Sequence, residues 1–222
     1  MLIAFEGLPG AGKTTQARRL AAHLARQGNA VTYLPDNLTR AADPLGKALL
    51  ALFDSGDPFA RHGDVITDTF LAAAIRANTV PAHIIPALDA RATVIEDRGL
   101  HTMYSYSLAT ILQKHHSPPG PAIAWLKAVG ALAGRAADRS LWLRLPADQA
   151  IARAERRQAH PYTSEQRAFL RHVHDAYAAL AATDPSLRVI DVTGLDTDQA
   201  HHAVLTALTG PPGAASSQLT AA

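Results

Sequence analysis

A glycine-rich turn close to the amino terminus constrains this chain more than any other feature of its sequence. Residues 7–14 read GLPGAGKT, which matches the pattern G-x-x-x-x-G-K-[ST]. The apolar run over residues 1–6 predicts a buried strand, and the spacing of apolar residues over 13–27 predicts an amphipathic helix. A strand, a turn of this type and a helix, in that order, form the phosphate-binding loop (P-loop) of nucleotide-binding α/β proteins. The sequence therefore predicts an α/β fold that binds a nucleoside triphosphate.

Each residue type in the P-loop has a chemical task. Glycine allows the backbone to wrap closely around phosphate oxygens with its N–H groups pointing inward, and the following helix adds its positive N-terminus. The ammonium group of Lys13 can reach the β- and γ-phosphates, and the hydroxyl of Thr14 is a ligand for Mg²⁺. We expect the ATP-binding residues of the loop to be Gly7, Gly10, Ala11, Gly12, Lys13, Thr14 and Thr15.

The rest of the chain continues the alternation of strands and helices. Four further strands are predicted, at 30–34, 92–96, 141–145 and 187–191. Because helical patterns separate them, this order predicts one parallel sheet of five strands with helices on both faces. The longest helical pattern, 66–90, contains Pro81 and Pro86, which predict a kink or a break. We expect a single domain over 1–210 and a disordered tail over 211–222.

The composition excludes several classes of protein. The chain has no cysteine, which rules out disulfide frameworks, thiolate catalysis and cysteine-ligated metal centres. The net charge is only +2, from 21 basic and 19 acidic residues, so no nucleic-acid partner is expected. No apolar run approaches the roughly 20 residues that are needed to span a bilayer. We therefore expect a cytoplasmic protein without a membrane partner.

Residues 5–16 (FEGLPGAGKTTQ) resemble the P-loop region of thymidylate kinases. The likeness continues in Asp97-Arg98, after the third predicted strand, and in Thr193-Gly194, after the last strand. It covers nearly all of residues 1–209. The resemblance implies a P-loop kinase with a short lid around 153–167, which uses Mg²⁺ and ATP, acts on a small-molecule phosphate acceptor and forms a homodimer. It also implies that Thr193 belongs to the ATP site.

The resemblance implies roles for three side chains that face phosphate in the family. Asp97 would hold Mg²⁺ or its waters, or would orient the acceptor. Arg98 and Arg76 would bind the phosphate of the acceptor. From its place at the end of a strand, Asp97 has a structural alternative, a carboxylate that caps a helix or pairs with an arginine. The expected metal ligands are Thr14 and Asp97.

The catalytic arginine of the family comes either from the P-loop or from the lid. Residues 8–11 contain no basic side chain, so the lid must supply it here. The candidates are Arg153, Arg156 and Arg157, with Arg167 beyond the loop, and Arg157 is the best placed. The expected catalytic residues are Lys13, Asp97, Arg98, Arg153 and Arg157.

The departures from the family pattern all lie on the acceptor side. Pro9 stands where the family usually has a carboxylate that contacts the sugar, and Ala72 replaces the phenylalanine that stacks on thymine. The Arg-Glu-Pro-Gly segment of the family, after the second strand, is not recognisable. Gly99 replaces an aromatic residue or histidine, whereas a tyrosine is kept at Tyr106, and His101 is a further candidate. The expected acceptor-binding residues are Pro9, Ala72, Arg76, Arg98, His101 and Tyr106.

These observations favour an ATP-dependent kinase of the thymidylate-kinase type that phosphorylates a nucleoside monophosphate, a modified nucleotide or another small molecule. Two alternatives keep the same chemistry: an authentic dTMP kinase, and a kinase of specialised metabolism with a non-nucleotide acceptor. A third alternative is a P-loop ATPase or switch protein that transfers no phosphate to a small molecule. The Asn-Lys-x-Asp motif of GTPases is absent from the chain, which argues against a GTPase.

Overall fold

The structure is a computed structural model and describes residues 1–36, 44–53, 64–158 and 161–209. Its strands are β1 (Leu2–Glu6), β2 (Val31–Leu34), β3 (Thr93–Asp97), β4 (Arg139–Arg144) and β5 (Leu187–Asp191). These strands form one parallel sheet in the order β2-β3-β1-β4-β5. The predicted α/β fold with a five-stranded parallel sheet is confirmed.

Helices connect all of the strands and follow β5. They are α1 (Lys13–Arg26), α2 (Pro44–Phe53), α3 (Val65–Thr79), α4 (Ile85–Asp89), α5 (Leu100–Lys114), α6 (Pro119–Leu132), α7 (Ala147–Arg157), α8 (Ser164–Thr183) and α9 (Thr197–Thr209). Helix α1 packs beside α9, whereas α5 packs among α3, α6 and α8. Because crossovers between parallel strands are right-handed, these two groups cover opposite faces of the sheet. The predicted tail and residues 159–160 of the predicted lid lie outside the described residues.

The helical pattern over 66–90 is interrupted in the way that its prolines require. Helix α3 ends at Thr79, and a π-helical segment over Val80–Ile84 leads into α4. Within it the N–H of Ile85 donates to the carbonyl oxygen of Val80, five residues back. Pro81 has no N–H to donate, so the regular hydrogen bonds of an α-helix cannot continue through this position. The predicted kink or break is therefore a single π-helical turn.

Strand β1 lies at the centre of the sheet and all five of its residues are completely buried. It pairs with β3 on one side and β4 on the other, with Phe5 beside Asp97 in register. The chain leaves β1 toward one edge of the sheet and leaves β3 toward the other edge. Parallel sheets bind ligands at such a reversal, outside the carboxyl ends of the strands. The P-loop and Asp97 are both at this place.

Candidate active site

The P-loop joins β1 directly to α1, and its glycines adopt backbone angles that other residues rarely reach. Gly10 and Gly12 have φ values of +86° and +95°. A Cβ on Gly10 would overlap the carbonyl oxygen of Ala150 and lie 2.9 Å from the backbone nitrogen of Ala154. Glycine at position 10 is therefore required for the loop to pack against α7.

Lys13 is buried inside the curve of the loop. Its Nζ donates a hydrogen bond to the carbonyl oxygen of Leu8 at 2.8 Å, and the residue is only 5% exposed. Burial, assisted by the nearby charge of Arg98, lowers the pKa of Lys13 to about 7, although Asp97 acts in the opposite direction. The amine is consequently poised to gain charge when anionic oxygens enter the loop.

Thr14 and Asp97 meet across the gap between the first turn of α1 and the end of β3. The Thr14 hydroxyl donates to Oδ2 of Asp97, while the buried Oδ1 has no hydrogen-bond partner. These hydroxyl and carboxylate oxygens are the hard ligands that Mg²⁺ prefers, and Mg²⁺ usually completes its shell with water and substrate phosphates. Among the described residues no group of three His, Cys, Asp or Glu side chains could hold a metal. The pair therefore fits a Mg²⁺ ion shared with a bound nucleotide.

Arg98 follows Asp97 in a left-handed backbone conformation, with φ +75°. Its Nε donates to Oδ2 of Asp36 at 2.6 Å. Burial disfavours the charged guanidinium, but Asp36 and neighbouring groups outweigh burial and raise the pKa of Arg98 above its ordinary value. The sequence did not single out Asp36. A carboxylate just after the second strand, on the side where the P-loop lies, is the signal that would have found it.

A cleft at the carboxyl ends of the strands is lined by four separate segments of the chain. They are the P-loop, the turn after β2, the end of β3 and the end of α7. The lining residues are Pro9, Gly10, Gly12, Lys13, Thr14, Thr15, Asp36, Asp97, Arg98 and Arg157. Two of the predicted P-loop contacts, Gly7 and Ala11, lie behind this lining, where Ala11 donates from its N–H to the carbonyl oxygen of Leu8. The structure thus brings together the predicted lysine, the Thr14–Asp97 pair and two of the predicted arginines.

The base of the predicted lid is held by one carboxylate. Glu155 on α7 accepts hydrogen bonds from the N–H of Tyr162 and from Nε of Arg167, both at 2.9 Å. Arg157, the last residue of α7, lines the cleft, whereas Arg153 does not. Arg157 is therefore the lid arginine that this structure places next to the P-loop.

Two predicted acceptor contacts have other partners. Arg76 donates from Nη1 to both carboxylate oxygens of Glu96, at 2.7 and 2.6 Å, and from Nη2 to the carbonyl oxygen of Arg135. His101 is buried, and its Nε2 lies 3.4 Å from a carboxylate oxygen of Asp184. Neither side chain lines the cleft. The sequence could not reveal these pairings, because each partner lies on a different element.

The remaining predicted residues also lie outside the lining of the cleft, except for Pro9. Ala72 packs against the main hydrophobic core. The Tyr106 ring packs edge-on against Phe169, with ring centroids 5.9 Å apart. Thr193 follows β5, where its N–H donates to Oδ1 of Asp191 at 2.9 Å. Any contact of these three residues with a nucleotide stays a prediction.

Comparison with known proteins identifies the family of the chain. The sequence model of the family described as thymidylate kinase matches residues 5–204. The chain belongs to the thymidylate kinase family. The thymidylate kinase of Alkalilimnicola ehrlichii is 32% identical in an alignment that covers 93% of this chain and 89% of that protein. The thymidylate kinase of Synechococcus sp. strain JA-2-3B'a(2-13) is also 32% identical, covering 87% and 86%.

A solved structure supports the fold independently. The crystal structure of the thymidylate kinase from Ehrlichia chaffeensis is similar with a TM-score of 0.67 and 21% identity, over 95% of this chain and 98% of that one. As a member of the thymidylate kinase family, the protein is a nucleotide kinase, and the resemblance inferred from sequence is confirmed. Within the described residues, no helix is both long and apolar enough to cross a membrane.

Proposed function

We propose that the protein is an ATP- and Mg²⁺-dependent kinase that transfers the γ-phosphate of ATP to a nucleoside monophosphate or a related small-molecule acceptor. The observation that carries this proposal is the composition of the cleft. Lys13, the Thr14–Asp97 pair, Arg98 and Arg157 face one space from separate elements. Such a grouping complements the charge that accumulates when two phosphate groups approach each other, which is where kinases lower the barrier.

On the donor side, the P-loop amides and Lys13 would hold the β- and γ-phosphates. Thr14 and Asp97 would hold Mg²⁺, which when bound neutralises part of the phosphate charge. During transfer, the bond from the γ-phosphorus to the bridging oxygen of ADP breaks and a bond to an acceptor oxygen forms. A monophosphate oxygen is largely deprotonated at neutral pH, so this step requires no general base from the protein. Arg157 is positioned to stabilise the phosphoryl group while it is transferred.

On the acceptor side, Arg98 is the arginine best placed to bind a phosphate. Its Nε is engaged by Asp36, while Nη1 and Nη2 donate no hydrogen bond to the described residues. Arg76 is held by the carboxylate of Glu96. The apolar ring of Pro9 lines the cleft. This combination supports an acceptor that is recognised differently from dTMP in the relatives.

The test is a screen for ADP release with nucleoside monophosphates, nucleosides and small hydroxylated or phosphorylated metabolites as acceptors. We expect one class of phosphorylated acceptor to stimulate ADP release, with the phosphorylated product identified by mass spectrometry. Lys13→Ala should abolish turnover with every acceptor. Turnover that survives in this variant, or ADP release without any phosphorylated product, would contradict the proposal and favour an ATPase or switch protein.

A second candidate is an authentic dTMP kinase, which the names of the relatives with 32% identity favour. The same screen separates the two candidates. If dTMP is phosphorylated at ordinary kinase rates with a KM of about 1 mM or lower, the acceptor is not altered and the second candidate holds. If dTMP is a poor acceptor and another member of the panel is a good one, the first candidate holds.

The proposal includes a homodimer in the cytoplasm. Large apolar side chains are exposed on the adjacent helices α2 and α3, where Leu45 is 58%, Leu52 is 67% and Phe70 is 54% exposed. Exposed large apolar side chains on adjacent helices favour a protein partner, and a second copy of the chain is the expected one. Light scattering after size-exclusion chromatography should give a mass twice that of the 23.5 kDa chain.

A further inference from the structure

Glu6 is a buried carboxylate that the proposed reaction does not use directly. It is the last residue of β1 and is completely buried. Its Oε1 accepts hydrogen bonds from the N–H groups of Gly99 and His101, at 3.1 and 3.2 Å. Its Oε2 accepts from the hydroxyl of Thr102 at 2.6 Å and from that of Tyr177 at 3.3 Å. The carboxylate therefore satisfies two of the free N–H groups at the start of α5 and opposes the positive end of its dipole.

These hydrogen bonds fix the backbone on one side of Arg98, and β1 fixes it on the other. The N–H of Arg98 donates to the carbonyl oxygen of Phe5 at 3.0 Å, and the next N–H, of Gly99, donates to Glu6. Only the φ and ψ angles of Arg98 separate these two anchored peptide groups. Its φ of +75° is unfavourable for a residue with a side chain, so it persists only because its surroundings impose it.

Gly99 allows the carboxylate to approach this closely. A Cβ at position 99 would lie 2.7 Å from the Cβ of Ala4 and 2.9 Å from Oε1 of Glu6. Both distances are too short for a real side chain. The absence of a side chain after Arg98 and the carboxylate at the end of β1 are therefore parts of one arrangement.

We propose that Glu6 is a positioning residue for Arg98. Its carboxylate holds the first turn of α5 and thereby imposes the left-handed conformation from which the Arg98 guanidinium enters the cleft. Asp36 then fixes the side chain at Nε, which leaves the Nη groups directed to an anionic acceptor. The inference rests on the proposed function, because it assigns Arg98 to the acceptor phosphate. Glu6 acts mainly on the acceptor side, and toward ATP its contribution is the smallest of the charges that raise the pKa of Lys13.

The experiment compares Glu6→Ala and Glu6→Gln with the wild-type protein. Two quantities are measured in each: kcat/KM for the best acceptor of the monophosphate panel, and the Kd of the Mg²⁺ complex of a non-hydrolysable ATP analogue. We expect Glu6→Ala to lower kcat/KM by about 100-fold, the loss that follows a misplacement of about 1 Å. Measured at pH 6, where Lys13 is largely protonated, the Kd for the ATP analogue should stay within about twofold, because the P-loop is unchanged.

Glu6→Gln should restore kcat/KM to within about threefold of wild type. Its amide oxygen can accept from the N–H groups of Gly99 and His101, and its NH₂ can donate to the Thr102 hydroxyl. Thr69→Val is the matched control, because Thr69 is also completely buried. Its hydroxyl donates to Ser107, which lies on α5 but well beyond the first turn. This control should leave both quantities unchanged.

If Glu6→Ala does not fold, Gly99→Ala keeps the carboxylate and displaces it by steric contact. It should cause the same selective loss, whereas Gly120→Ala, where a Cβ meets no atom within 4 Å, should cause none. Equal losses in acceptor and ATP binding, or unchanged acceptor kinetics in folded Glu6→Ala or Gly99→Ala, would overturn the inference. Failure of the wild-type protein to phosphorylate any acceptor would instead overturn the proposed function.

Discussion

Because Lys13 has a pKa of about 7 in the ligand-free protein, ATP binding should take up a proton near neutral pH. The side chain is desolvated and lies near Arg98, both of which disfavour the ammonium form, while Asp97, Asp36 and Glu6 favour it. The phosphates of ATP add several negative charges within hydrogen-bond distance of the amine. The pKa of Lys13 should therefore rise well above 8 in the complex.

The number of protons taken up follows from the pKa of about 7 for Lys13. At pH 8 about one tenth of the free lysine is protonated, so binding takes up about 0.9 proton; at pH 6 the uptake is about 0.1 proton. The affinity for MgATP should therefore fall as the pH rises, because Lys13 of the free protein must first be protonated. The Kd for MgATP should weaken about tenfold between pH 6 and pH 8, or about 1.4 kcal/mol.

Isothermal titration calorimetry measures this uptake directly. MgATP is titrated into the protein at pH 8 in two buffers with different ionisation enthalpies, and the difference in observed enthalpy gives the number of protons. Lys13→Met is the matched control, because it keeps most of the side chain's length and cannot titrate. A wild-type uptake near zero at pH 8, or the same uptake in Lys13→Met, would refute the reasoning.

Three further predictions concern charges. Glu96→Gln should lower the free energy of unfolding in urea by about 3–5 kcal/mol, because it leaves Arg76 buried without its counter-charge; an unchanged transition midpoint would contradict this. Arg157→Gln should lower kcat by about 100-fold or more with little change in the Kd for ATP, whereas Arg171→Gln, from an exposed pair outside the cleft, should leave kcat unchanged in steady-state assays. Lys13→Met should raise the Tm of the ligand-free protein at pH 7 by about 10 °C, because the lowered pKa costs about 4 kcal/mol at that pH, and the gain should disappear above about pH 10.5, where the lysine is neutral in the unfolded chain too.

The elements that form the proposed donor side of the cleft could be predicted because their signals are local. The P-loop is a continuous stretch, and Asp97 comes at the end of a strand that the apolar pattern already identifies. The parallel sheet follows from the alternation of strands and helices, since that order leaves few other topologies. The helix predicted over 13–27 is observed over Lys13–Arg26, one residue shorter.

The acceptor side could not be predicted to the same depth because its side chains depend on distant partners. Arg76 is separated from Glu96 by 20 residues, and the sequence places both correctly on a helix and a strand without showing that they pair. Asp36 has no motif around it, and only the sheet order brings it beside Arg98. The role of Glu6 was hidden because a charged residue at the end of a buried strand does not reveal which helix it will cap.

The close packing of Gly10 on α7 fixes the position of that helix relative to the P-loop. The loop contacts Ala150 and Ala154, and Arg157 follows at the end of the same helix. Seven residues of α-helix span about 10.5 Å and turn through nearly two full revolutions, so all three positions lie on one face. Inserting one residue between Ala154 and Arg157 would lengthen the helix by only about 1.5 Å but rotate the arginine by about 100° away from the cleft. The spacing of this helix, and not the arginine alone, thus fixes the direction from which Arg157 enters the cleft.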